Sequence, residues 1–395
     1  MKKRMLSTLL AALLLTASIG TAVSAEGNGK AISELPKPVW SQPKAAGDLG
    51  RVQGPLLEVS SLNTVYVHTI EKHATTKTKP WLADTLKSYD TQTGKLKWSV
   101  NFENSGAAMD RDSKPYLVGP DGTVYVTFVG NSSPNGTQIY AVGPDGKRKW
   151  KVNLSKRDGD LFMLNNGNLV FASLGTFDKN SNFTGGTITL INKNGSKVKT
   201  IPYKGSVFAK GNRVLIQTNY AAGKGSRLEA LDSSLKHIFS YQFPAGSYAE
   251  VDYDYVLNDG TVVARTNLEK TGNRLLGFSP SGKLLWGRDI EGNALVAGLG
   301  DNYGVYENGK LSLYNVKGLV KSASIKDHTE YIISLDKLRD GNLDLDFPGS
   351  SEYILNPKTL EAEYTFKFGE NVQFSYVGNG VGYVITDQGI SRYKF

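Results

Sequence analysis

Leu86 through Trp98, Ile139 through Trp150 and Leu275 through Trp286 spell the same arrangement three times. Each is a strand, a tight turn ending in Gly-Lys, and a second strand carrying Trp. A chain that repeats one hairpin at intervals is built from stacked units, each burying its apolar face against the next.

The units lengthen when the strand before each hairpin is included. Thr64-Val65-Tyr66-Val67, Thr123-Val124-Tyr125-Val126, Asn168-Leu169-Val170-Phe171, Arg213-Val214-Leu215-Ile216, Thr261-Val262-Val263-Ala264, Tyr303-Gly304-Val305-Tyr306, Asn342-Leu343-Asp344-Leu345 and Gly382-Tyr383-Val384-Ile385 align as one element. Their spacing averages about 45 residues, in the range of four-stranded propeller blades. The units are rich in Val, Tyr, Thr and Ile, with Gly, Asn, Asp and Pro at the joints, which excludes helical arrays of similar period. In Gly143-Pro144-Asp145-Gly146 and Ser279-Pro280-Ser281-Gly282, Pro presets the first corner and Gly accepts a positive φ at the last. A second turn recurs before the central strand, as Pro120-Asp121-Gly122, Asn165-Asn166-Gly167, Asn258-Asp259-Gly260 and Arg339-Asp340-Gly341, and Asp-Gly and Asn-Gly are strong hairpin signals. The expected fold is all-β: four-stranded antiparallel blades in a β-propeller. A chain of 395 residues with 43 Gly exceeds an ordinary compact domain, and a ring of blades also leaves only short sheet edges.

Val39-Trp40-Ser41 reads as an isolated outer strand ahead of the first unit, and the last unit ends at Phe395 without one. Joined, they make an eighth blade from both chain ends. Seven blades is the alternative, because units six and seven are short and degenerate.

Lys2-Lys3-Arg4, an apolar run from Met5 to about Ile19, and Val23-Ser24-Ala25 form a signal-peptide pattern with cleavage after Ala25. The organisation expected is a signal peptide over 1–25, a flexible segment over 26–37 and a propeller over 38–395, in a secreted or cell-wall-associated monomer with no membrane span after cleavage. Removing residues 1–25, which hold three basic and no acidic residues, takes the formal charge from +9 to +6. The basic residues are dispersed along turns, which argues against nucleic acid and is compatible with an anionic wall polymer. The chain has no cysteine, which excludes disulfides, thiolate ligands, a thiol nucleophile and a lipid-bearing cysteine.

The stretch Tyr89-Asp90-Thr91-Gln92-Thr93-Gly94-Lys95-Leu96-Lys97-Trp98 resembles the repeat of pyrroloquinoline quinone enzymes, the quinoprotein dehydrogenase-like β-propellers. The likeness is crisp in units one, two and five. Unit three has Lys199 near the Trp position, unit four has Phe239 and the turn Asp232-Ser233-Ser234-Leu235, and unit seven reads Asn356-Pro357-Lys358-Thr359-Leu360. The resemblance implies eight blades, with each Trp docked between blades beside a turn Gly. Trp40, Gly94, Trp98, Gly146, Trp150, Gly282 and Trp286 are therefore read as structural. The family's enzymes hold their quinone over the channel with a calcium ion, use an Asp base and in many cases carry a vicinal disulfide. No acidic motif here matches theirs position by position, so no catalytic, cofactor or metal residue is carried over, and a non-catalytic member without cofactor is expected.

The remaining constellations are weak. His68, His73, His237 and His328 would have to converge for zinc, and only His68 and His73 are close, so loop histidines in solvent are expected. Asp340 to Asp346 and Asp252-Tyr253-Asp254 alternate oxygen ligands that calcium favours, but strand alternation alone places Asn342, Asp344 and Asp346 together on a solvated face. The longest irregular connection runs from His68 to Asp84, with Ser173 to Gly186 in unit three comparable. Its Lys77, Lys79 and Trp81 are the candidate binding residues, since Trp anchors interfaces and Lys steers acidic partners. The expected function is a non-enzymatic scaffold for an extracellular protein or an anionic wall or polysaccharide partner. The alternative is an extracellular quinone dehydrogenase, polysaccharide lyase or hydrolase.

Overall fold

The computed structural model describes residues 29–395 apart from 44–47, 53–56, 74–80, 103–107, 110–115, 130–135, 155–157, 178, 180–182, 219–224, 251–255, 269–271, 326–331, 333, 348–350, 369–371 and 387–388. Eight antiparallel sheets, each of four main strands, follow one another as blades. Among the described residues the only helical element is the single turn Ser60–Leu62. Blade 1 takes its first strand from Asp48–Val52 and Leu57–Val59, followed by Thr64–His73, Trp81–Asp90 and Leu96–Phe102. Blade 7 runs through Ser334–Lys337, Leu343–Phe347, Ser351–Leu355 and Ala362–Lys367.

Blade 8 closes the ring. Gln373–Gly378, Val381–Thr386 and Gly389–Lys394 are completed by Trp40–Pro43 from the other end of the chain, with Trp40 opposite Arg392 and Pro43 opposite Gly389. The seam between blades 8 and 1 adds a buried polar clasp. The Tyr383 hydroxyl donates to Glu58 Oε2, and Arg392 Nε lies 4.0 Å from the same oxygen.

The segment 26–37, expected to be flexible, instead holds a strand. Lys30–Ile32 pairs in parallel with the outer strand of blade 7, Lys30 opposite Tyr364 and Ile32 opposite Phe366. The exposed edge of that strand accepts its backbone, and Ile32 is buried in the cluster of Ile354, Phe366, Phe368 and Tyr376.

Neighbouring blades are joined by a contact that takes two chemical forms. Trp40 Nε1 donates to Thr91 O at 2.9 Å, Trp98 Nε1 to Pro144 O at 2.8 Å and Trp150 Nε1 to Lys193 O at 2.9 Å. Each indole lies against the turn glycine of the next blade: Gly94, Gly146 and Gly195. A Cβ on Gly146 would meet Trp98 at 2.7 Å, and its φ of 80° already suits glycine. Phe239 fills the same place against Gly282. Where the turn ends in leucine, lysine replaces the aromatic. Lys199 Nζ donates to Leu235 O at 2.8 Å, and Lys321 Nζ to Lys358 O at 2.9 Å in the turn ending at Leu360. Leu235 and Leu360 are buried at positive φ and leave no room for an indole.

Trp286 departs from the expected docking. The facing turn of blade 6 has only two residues between Asn315 and Gly318, which pair directly, so no bulged glycine lies beneath the indole. Trp286 instead folds back over Gly277 of its own blade and stacks on Tyr303 at 5.2 Å.

Candidate functional site

The second strand of every blade is sandwiched between two neighbours, so both of its faces should be apolar. Val124, Tyr125 and Val126 in blade 2 and Val214, Leu215 and Ile216 in blade 4 are all buried. Blade 7 breaks this rule. Alternation along Leu343–Phe347 sends Leu343, Leu345 and Phe347 into the core shared with Tyr306 and Leu311 of blade 6, and turns Asp344 and Asp346 toward blade 8. The face expected to be solvated is therefore an interior one.

Strand register assembles the rest. Glu352 pairs with Asp346, Phe366 pairs with Glu352, and Asp336 and Ser334 pair with Asp344 and Asp346. Across the seam, the first strand of blade 8 contributes Phe374, Ser375 and Tyr376. Together with Phe368 and Val372 they enclose a cavity of 270 Å³. Its aromatic wall is continuous, with Phe366 and Phe374 ring centres 4.7 Å apart and Phe368 and Phe374 4.9 Å apart. The lining residues lie where the first strands begin and the fourth strand ends, which places the cavity toward the ring face opposite the Gly turns.

The electrostatics follow from three acids lining one cavity with no basic residue among the described lining. Burial, then Asp336 and Asp346, pushes Asp344 up to about 7. Burial, then the charges of Asp344 and Asp346, raises Glu352 well above the ordinary carboxylate range, against a backbone N–H donated by Tyr376. Burial also raises Asp346. The Asp344 and Asp346 charges bear on Glu352 in this group, and like charges that share a site favour keeping a proton among them. Asp344 Oδ1 is buried and accepts no hydrogen bond. The site can hold a proton and accept a hydrogen-bond donor carrying positive charge.

The residues singled out in the first long connection fall differently. Lys77 and Lys79 lie outside the described residues. Trp81 opens the third strand of blade 1, opposite His73. Within the stretch from His68 to Asp84, residues 68–73 and 81–84 belong to strands and not to an irregular loop, because the ladder between Thr64–His73 and Trp81–Asp90 runs unbroken to that pair. His68 is buried and bonds Asp84 Oδ1 through Nε2 at 2.8 Å, contrary to the expected exposure. His237 is exposed on the outer strand of blade 4. Asp252 to Asp254 and His328 lie outside the described residues.

No family model and no curated protein matches the chain. Among solved structures, the C-terminal WD40 domain of Sif2 is similar with a TM-score of 0.55 at 10% identity, over 92% of this chain and 99% of that one. A eukaryotic initiation factor aligns with a TM-score of 0.53 at 10% identity, over 87% and 88%. The quinohemoprotein alcohol dehydrogenase from Comamonas testosteroni aligns with a TM-score of 0.49 at 10% identity, over 90% and 76%. At such identities the likeness shows a β-propeller and nothing about a ligand.

Proposed function

We propose that this chain is an exported, non-enzymatic binding propeller that holds an extracellular partner through the cavity between blades 7 and 8. The carrying observation is that cavity: three acids face an aromatic wall in the seam between blades 7 and 8, and a concave site that joins apolar surface to convergent polar groups suits ligand capture. The basic start, apolar run and small-residue end of residues 1–25 support export. The Gly146–Trp98 docking supports descent from the quinoprotein repeat. The quinone itself is not supported: among the described residues no three His, Asp or Glu side chains are grouped to hold the accompanying metal ion, and the chain has no cysteine. An acidic cavity suits a basic group on a protein or an aminated sugar better than an anionic polymer.

One observation favours a second reading, an extracellular hydrolase: Asp344 and Glu352 line one cavity and burial raises both carboxyls, as in acid–base sites. The test is affinity capture of native surface material by the wild-type chain and by Ser375→Trp, which plugs the cavity. A component bound unchanged by the wild type and lost from the variant supports the reading. Capture indifferent to the plug, or conversion of the captured component, overturns it.

A further inference from the structure

The cavity's chemistry restricts what it binds. Resting on the reading above, we propose that the cavity between blades 7 and 8 takes a primary ammonium group, R–NH3+, and releases a proton when it does so.

Three features lead to this class. The carboxyls of Asp344, Asp346 and Glu352 line the cavity with no basic residue among the described lining, and buried charge of one sign is costly until a counter-charge arrives. The opposite wall is aromatic, formed by Phe366 with Phe374 and Tyr376 at 4.7 and 5.4 Å from its ring centre, and ring faces attract organic cations. Asp344 Oδ1 is buried with no donor. That last atom separates the candidates. A primary ammonium brings three N–H donors and satisfies the orphaned oxygen, whereas a quaternary ammonium brings none and would leave it bare. A divalent metal ion would use the carboxylates but gain nothing from the rings, and the described acids are not grouped for one. The cavity is small beside sites that enclose whole drug-sized ligands, so it fits the head of an amine whose remainder lies outside.

The proton balance follows from the same geometry. Before binding, the acids gathered at the cavity, Asp344, Asp346 and Glu352 with Asp336 bearing on Asp344, keep a proton against their mutual repulsion, and the Tyr376 backbone N–H is the neutral donor to Glu352. An arriving R–NH3+ supplies the positive charge and donors that the proton had supplied, so the proton leaves to solvent as the ammonium binds. The carboxyl pair then carries one more negative charge, balanced by the ligand.

Titration calorimetry of the chain with Nα-acetyl-lysine methylamide, glucosamine and choline tests this. The expected result is saturable binding of one or both primary amines at least tenfold tighter than choline, tightening as the pH rises from about 6 to about 8, as release of a proton requires. The lysine and sugar arms separate a protein partner from an aminated polysaccharide. Repeating the titration in buffers of differing ionisation enthalpy counts the proton. Asp344→Asn should lose the pH dependence, and Asp346→Asn should weaken binding while retaining it. Choline binding as tightly as the amines, with Ser375→Trp abolishing both, would sink the ammonium assignment and leave the cavity as the binding site. Absence of binding by all three probes, while Ser375→Trp still loses the captured surface component, would also reject the amine class alone. Capture that ignores the plug would remove the cavity itself.

Discussion

Asp344→Asn should make the protein more stable at alkaline pH, although it alters a half-buried residue whose Oδ1 is enclosed. In the folded chain Asp344 is pushed from an ordinary 3.8 up to about 7. At about 1.4 kcal/mol per pH unit, the shift corresponds to about 4 kcal/mol. Because the folded pKa is raised, the folded chain keeps a proton that the unfolded chain has already released across this interval. Its stabilising effect is fully present below the ordinary carboxylate range, and is lost as the pH rises through about 7. Asparagine cannot ionise and escapes that loss. It fits the same volume and can still bond Glu352, at a cost of about 1 kcal/mol for the imperfect replacement. Urea midpoints should therefore show the variant equal to or slightly below wild type at pH 5, and above it by about 2–4 kcal/mol at pH 8. Wild type should weaken over that interval more steeply than the variant, whose remaining slope comes from Glu352 and Asp346. A variant that loses stability in parallel with wild type from pH 5 to pH 8, or is weaker at both, refutes the protonation assigned to the cavity.

Deleting residues 26–42 removes the closing strand and the strand on blade 7, and should lower the melting temperature in one cooperative step. Trp40→Ala alone should cost about 3–5 kcal/mol, and unchanged melting in either would count against closure by both termini. Gly146→Ala, with a φ of 80° and Trp98 at 2.7 Å from the added carbon, should cost about 2 kcal/mol in a denaturant titration. Lys199→Trp should destabilise alone because Leu235 fills the space beneath it, and Lys199→Trp with Leu235→Gly should recover much of the loss. Simple additivity of the two single changes in a double-mutant cycle would refute the exchange of Trp–Gly for Lys–Leu across that seam.

The blades, the turns and the ring closure were legible because each rests on local chemistry: β-branched runs, Asp-Gly and Pro-x-Gly corners, and a stray Trp40 strand facing a last unit that lacked one. The degenerate units were harder to read because the compensation crosses unit boundaries. Lys199 looks like a lost Trp and Leu235 like a lost Gly when each is compared within its own unit. Read one unit out of step, they are a matched pair, and Lys321 with Leu360 is a second. Trp286 misled for the converse reason: its own unit is intact, and the shortened turn belongs to the next blade. The cavity was hidden by a rule that is sound for a two-sided strand with one wet face. Asp344 and Asp346 alternate with Leu343, Leu345 and Phe347, which reads as one wet and one dry side, yet in a propeller the second strand has no wet side. The signal was present in the alignment of the eight units, where seven place apolar residues on both faces and one places acids on one of them. An acid at such a position must meet a proton, a cation or an unusual partner, because its neighbours are fixed by the ring. In this chain the neighbours are two further carboxyls and a wall of aromatic rings, so the position that departs most from the repeat is also the one with the most chemistry to offer a ligand.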